Sequence, residues 1–301
     1  LDHLNSQTLK KIILLALLPL SISFNASAGG GWTKKKGKGY YKLMQYWIIA
    51  DEHFDNVGNI DPQTTFGIFS TALFAEYGIT DRIDGLVYFP FYTRSLINSR
   101  ISGTTGQTLT EGDVLAGLGD LDLTLKYRLT KDGARFPVSV SVLFGIPTGI
   151  PVGGRQDNLQ TGDGEFNQSL RLDVSRSIGL IPGVPLYASA YVRLNNRTNN
   201  FSDDWFAGLE LGAAFFSQKL WLIGRLDNQD SFKNGSGSFN PGAEGSTTIF
   251  ASNSEFTSFT TELAYYVTKG WGVSVAYGNA FRGELILADP AYTVGMFFDM
   301  R

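Results

Sequence analysis

The 301-residue chain has no cysteine. That excludes disulfide scaffolding, thiolate metal sites and a lipid-modified N-terminal cysteine, so an exported protein of this sequence must draw its stability from elsewhere. It also lacks any apolar run of the roughly 18 residues that a membrane helix requires, although 43% of its residues are hydrophobic. Histidine is scarce, with only His3 and His53. Basic residues do not exceed acidic ones, at 25 against 28, so no basic surface for nucleic acid is implied.

What is present begins with an address. Lys10 and Lys11 precede an apolar segment over 12–24 that Pro19 interrupts, and Ala26-Ser27-Ala28 follows as a small-residue cleavage site. This order predicts a cleavable signal peptide over 1–28.

The run from 117 to 130 alternates in chemistry. Leu121, Leu123, Leu125, Tyr127 and Leu129 share one parity, while Asp120, Asp122, Thr124, Lys126 and Arg128 share the other. A helix would scatter these charges around its axis; a strand places them on one face. Similar runs recur at 39–50, 64–77, 83–95, 117–129, 137–147, 165–178, 186–196, 205–216, 220–229, 255–267, 271–282 and 292–300, which predicts twelve strands. The short connections (78–82, 131–136, 179–185, 217–219, 268–270) join even strands to odd ones. The long ones (51–63, 96–114, 148–164, 197–204, 230–254 and a shorter 283–291) join odd to even. An even strand count, with short turns on one rim and long loops on the other, predicts an all-β chain forming a single transmembrane antiparallel barrel over 39–301. It would sit in the outer membrane of a Gram-negative bacterium, in contact with its lipid, with residues 29–38 as a short periplasmic segment.

Strand parity predicts a charged lumen. Glu76, Asp84, Asp120, Asp122, Glu165, Asp173, Glu210, Asp227 and Glu262 fall inward with Arg94, Lys126, Arg128, Arg171, Arg193 and Arg225, and the outward parity is mostly aliphatic or aromatic. Arg176 is the outward exception, affordable near a rim. Tyr77, Tyr127 and Tyr265, each three residues before a threonine that a charge follows, suit an aromatic girdle. The last strand carries Gly295, Phe298 and Met300 at the spacing of the recognition strand read by the barrel-assembly machinery, an expected partner; Arg301 departs from the usual terminal aromatic residue.

The run starting at Gly117 (Gly-Leu-Gly-Asp-Leu-Asp-Leu-Thr-Leu-Lys-Tyr-Arg-Leu), followed by Phe144-Gly-Ile-Pro-Thr-Gly and Thr161-Gly-Asp-Gly-Glu, resembles the outer-membrane transporters named for the meta-pathway of phenol degradation. These are distantly similar to the long-chain fatty-acid transporters. The resemblance implies a barrel and uptake of small hydrophobic or aromatic compounds. Fatty-acid transporters carry a long N-terminal plug; only residues 29–38 precede the first strand here, so no large hatch is expected.

Phe54, Phe232, Phe239 and Phe250 lie on long loops where no lipid-facing strand accounts for them. They are expected to gather at the extracellular mouth into a pocket for a small hydrophobic ligand. The alternatives are a general diffusion porin and a closed structural barrel whose mixed lumen charges pair into ladders. A lipid-modifying enzyme using His53 is the remaining alternative; on the first loop, His53 reads instead as a solvated side chain. Gly117-Leu-Gly-Asp opens a strand rather than the helix a phosphate cradle needs. Thr161-Gly-Asp-Gly-Glu, with Asp157 upstream, reads as a tight turn rather than a calcium loop. No catalysis, cofactor or metal is expected.

Overall fold

Period-two alternation turns one face of each strand toward lipid and the other toward a lumen, and joining the first strand to the last leaves no free edge. The computed structural model describes residues 29–236 and 251–300. In chain order its strands are β1 (Gly39–Phe54), β2 (Ile60–Gly78), β3 (Ile83–Ile97), β4 (Arg100–Ile101), β5 (Thr108–Thr110), β6 (Asp113–Gly117), β7 (Leu121–Arg128), β8 (Val138–Ile146), β9 (Asn167–Ile181), β10 (Val184–Asn196), β11 (Asp204–Phe215), β12 (Leu220–Ser231), β13 (Glu255–Tyr266), β14 (Trp271–Glu284), β15 (Ile286–Leu287) and β16 (Ala291–Asp299). The wall is a closed antiparallel barrel of twelve strands, in which β6 and β7 together form the fourth. β1 closes it, pairing with β2 on one side and with β16 on the other, from Tyr40↔Asp299 to Ile48↔Ala291. β15 clips onto the end of β1, and β4 and β5 form a small hairpin on the second long loop. The leader expected over 1–28 lies outside the described residues.

Leu125, Leu170, Leu172, Leu209, Leu211 and Val275 project outward and exposed. Full burial of a leucine contributes about 1.5–3 kcal/mol, and lipid on this face supplies the corresponding share for each of these half-exposed side chains. Tyr77, Tyr127 and Tyr265 are also exposed on this face. Trp47 stacks on Tyr292 at 5.7 Å between centroids, and Tyr277 meets the same ring at 5.6 Å. Arg176 is outward as expected, its guanidinium 5.0 Å from the centroid of the Phe136 ring.

Two expectations about the wall are corrected. The first long loop is not a loop over 51–63, because β1 runs on to Phe54 and β2 starts at Ile60, leaving a turn in which Asp55 accepts N–H bonds from Val57 (2.9 Å) and Asn59 (2.8 Å). This hairpin rises past the apolar belt, so no period-two pattern marks it. Arg94 does not face the lumen. Between Thr71↔Tyr92 and Leu73↔Phe89 the pairing gains one residue on β3, around Pro90. Proline cannot donate to the ladder and an inserted residue inverts the parity beyond it. Thr93 and Ser95 are therefore buried inside while Arg94 is exposed outside.

Inside, aromatic rings of one strand lie over glycines of the next. A Cβ on Gly212 would sit 1.9 Å from the Tyr187 ring, and one on Gly208 would sit 2.2 Å from Tyr191. These gaps let both tyrosines lie flat along the wall, the arrangement by which aromatics protect exposed strand glycines.

Phe298 faces outward, 4.8 Å from Trp271 between centroids, while Phe297 and Asp299 are buried inward. Gly295 leaves room for Lys42, whose Cε would lie 2.8 Å from an added Cβ, and the Met300 N–H bonds to the Gly39 carbonyl at 2.8 Å. Phe298→Asp places a charge on the lipid face and removes the ring contact, so the folded, heat-modifiable band on gels is expected to fall several-fold. An unchanged folded fraction would contradict this parity.

Candidate functional site

The lumen is filled from both ends by the chain itself. Residues 29–38, expected as a short periplasmic segment, run across the periplasmic end of the bore. Gly31 N–H donates to Ser175 Oγ (2.8 Å), and Ser139 Oγ donates to the Gly30 carbonyl (3.0 Å). Trp32 meets Tyr187 edge-on at 5.9 Å. Lys34 N–H bonds to the Asp84 carboxylate at 3.0 and 3.2 Å, and its ammonium lies 3.7 Å from Asp299. The strap is pinned again at the periplasmic rim, where Lys35 and Arg128 bond to Asp132 and hold its carboxyl down at about 2.

Above the strap, the predicted charges form ladders. Lys42 pairs with Glu262 (2.6 Å), Glu262 with Arg225 (2.8 Å) and Arg225 with Glu210 (2.6 Å), and Tyr187 donates to Glu210 at 2.7 Å. On the opposite wall Lys126, 4% exposed, lies 2.7 Å from Glu76 and 4.0 Å from Asp84, and it donates to the Trp32 carbonyl. Arg171 pairs with Asp173 (2.8 Å) and covers the Tyr191 ring, whose hydroxyl donates to Asp227. Arg128 sits at the periplasmic rim, bonded to Asp132 and the Asp81 carbonyl.

From the other end, the third long loop (residues 147–166) folds inward. The Asp120 carboxylate accepts N–H bonds from Gly149 (2.9 Å) and Asp163 (2.8 Å), an approach that glycine at 162 permits, since a Cβ there would stand 2.2 Å from an Asp120 oxygen. Thr161 Oγ1 accepts the Ile150 N–H, and Ser95 donates to the Gln160 carbonyl. Leu159, fully buried, packs against Ile48, Ala50, Phe66, Ile68 and Leu287. Gly164 takes a left-handed conformation (φ 74°) and the Glu165 N–H closes onto Asp163, the tight turn expected of this motif. Glu165 lies on the loop rather than on a strand and binds Arg197 at 2.7 Å, beside Asp163 at 3.2 Å.

Between these elements is a polar cavity of about 220 Å³, lined by Asp122, Asn167, Arg193, Asn195, Asp204 and Gln229 among others. Arg193 lies flat on Phe206, 3.5 Å from the ring centroid. An open cleft of about 480 Å³ lies between the second and third long loops, beside Arg94 and Arg155.

Of the aromatic residues expected at the mouth, the two that are described, Phe54 and Phe232, line neither space. Phe54 is buried against Gly283, paired with Ile286, whereas Phe232 is 53% exposed. Phe239 and Phe250 lie outside the described residues. His53, expected in solvent, is instead buried in the extended β1 between Asp61 and Leu287, because the strand continues through it. Its Nδ1 makes no hydrogen bond, so no carboxylate holds the ring there as in a catalytic triad. Sequence reasoning missed Lys34, Lys42, Leu159, Arg197 and Asp204. Of these, Lys42 and Asp204 carry a usable signal, since they occupy inward strand positions.

No family model matches the chain, and no curated protein matches it in sequence. Among solved structures, an outer membrane channel from Pseudomonas putida F1 is similar at a TM-score of 0.57 and 15% identity, over 90% of this chain and 98% of that one. The KdgM porin aligns at 0.47 and 9% identity over 87% and 99%. The translocator domain of autotransporter NalP from Neisseria meningitidis aligns at 0.49 and 10% identity over 97% and 96%. With its lipid-facing aliphatic wall and closed seam, the chain has the fold of a Gram-negative outer-membrane channel.

Proposed function

We propose that the protein is an uptake channel of narrow bore, constricted by its third long loop and its N-terminal strap, that passes small solutes one at a time. The observation that carries this reading is the inward seat of Leu159 on the wall, which brings residues 147–166 into the lumen. The polar cavity beside that loop supports the reading, since a purely structural barrel gains nothing from one. Eight strands enclose a bore filled by side chains and sixteen an aqueous channel, so twelve suit a path for small molecules.

The resemblance to the phenol meta-pathway transporters adds small aromatic compounds as substrates. The charged lumen narrows that class to compounds carrying hydroxyl or carboxylate groups, because a bare hydrocarbon would strip water from the Asp122 and Arg193 side chains without replacing their hydrogen bonds. Liposome swelling with solutes of graded size tests the reading. Glycerol-sized molecules should enter and disaccharides should be excluded. Free entry of disaccharides would establish a general diffusion porin, and exclusion of every solute would establish a closed structural barrel.

A further inference from the structure

The cavity beneath the loops differs from the rest of the lumen in its pairing. Elsewhere each lumen cation named above has a carboxylate partner within 4.0 Å. Among the described residues, Arg193 makes no such pair: its guanidinium is held flat on Phe206, its Nε is buried without a hydrogen-bond partner, and its side chain lines the cavity. Asp204 Oδ1 is likewise buried without a partner, its other oxygen lying 3.7 Å from Arg197 and 3.4 Å from Gln229. Among the described residues, no hydrogen bond or ion pair occupies the Asp122 carboxylate, which borders the same space. Asn195, by contrast, is held by Ser169 (2.7 Å) and Asn167 (2.6 Å).

Buried polar groups are almost always hydrogen-bonded, and unfilled ones mark a place where a ligand or solvent completes them. Here the unfilled set comprises one fixed donor fork and two acceptors. An arginine fork matches a carboxylate in two parallel bonds, and the aspartates accept from hydroxyl or ammonium groups. The volume of about 220 Å³ is below the roughly 300 to 1,000 Å³ of drug-sized sites, so the occupant is small.

We propose that Arg193, Asp122 and Asp204 form a binding site for a small hydroxylated or amino-bearing carboxylate. The carboxylate lies on the Arg193 fork and the hydroxyl or ammonium donors reach Asp122 and Asp204. The assignment rests on the uptake reading above and gives it a substrate class. A simple hydrocarbon satisfies none of these groups. A lone carboxylate satisfies the arginine but faces two uncompensated acids, and a lone polyol leaves the arginine unfilled.

The test is calorimetric titration of the full chain in detergent micelles with glycerate, propanoate and glycerol, paired with swelling of liposomes carrying the same protein. Glycerate should bind saturably and at least tenfold more tightly than either of the others. Arg193→Gln should abolish its advantage over glycerol, and Asp122→Asn its advantage over propanoate. Arg193→Lys keeps the charge while losing the planar fork and should bind glycerate weakly, which separates loss of the site from loss of the fold; heat-modifiable gel mobility reports folding for each variant. Absence of saturable glycerate binding, equal binding of glycerol, or indifference to Arg193→Gln in folded protein would overturn the site. If liposomes still admit glycerol in that case, the uptake reading stands and only the site fails. Glycerate binding without permeation of any solute would retain the site and sink uptake.

Discussion

Lys126→Met is expected to lower the stability of the folded barrel by about 3–5 kcal/mol, the typical cost of removing one partner from a buried ion pair. The methionine keeps the volume of the side chain, so the loss isolates the charge. Without Lys126, the neighbouring carboxylates of Glu76 and Asp84, on the paired strands β2 and β3, keep Lys34 as the remaining nearby cation, and the Trp32 carbonyl loses its donor. Both consequences fall on the N-terminal strap, so the variant should also expose residues 29–38 to protease. Adding Glu76→Gln should recover much of the loss, because a neutral pair needs no countercharge. Urea unfolding followed by tryptophan fluorescence measures the effect, with the folded band on gels as a second readout. An unchanged midpoint for Lys126→Met would mean that water screens this pair and that the ladders do not brace the barrel.

The second large effect is on passage. Leu159→Asp puts a carboxylate among Ile48, Phe66, Ile68 and Leu287. It forfeits the burial of the leucine, about 1.5–3 kcal/mol, and adds the cost of a charge with no partner. The wall strands do not depend on this contact, since their ladders run from neighbour to neighbour around the barrel. The loop, by contrast, loses its apolar anchor and keeps the polar ones to Asp120 and Ser95. The expected result is a folded barrel that admits a disaccharide excluded by the unsubstituted protein, with liposome swelling several-fold faster. Exclusion by both would show that the loop is not the constriction.

The wall was legible because lipid on one side and charge on the other impose strict alternation on each strand, and Asp122, Lys126, Arg171, Glu210, Arg225 and Glu262 could be assigned inward by parity alone. Legibility ended where that constraint does. Pro90 introduces an extra residue into β3, and parity counted through it assigns Arg94 to the wrong face. The hairpin around Asp55 stands in water, so its strands carry no apolar face. Leu159 belongs to a loop, where one buried leucine among polar residues has no period to announce it; its partners lie on strands far away in sequence. The strap is the same case, since Gly31 and Lys34 meet Ser175 and Asp84 only once the barrel has closed.

In this reading a lipid-facing barrel carries a path narrowed by its own loop and strap. Single-channel recording of the full chain in a planar bilayer tests this most directly. The prediction is brief openings of low conductance, enlarged by Leu159→Asp. A large, steady conductance in the unsubstituted protein, unaffected by that substitution, would contradict it.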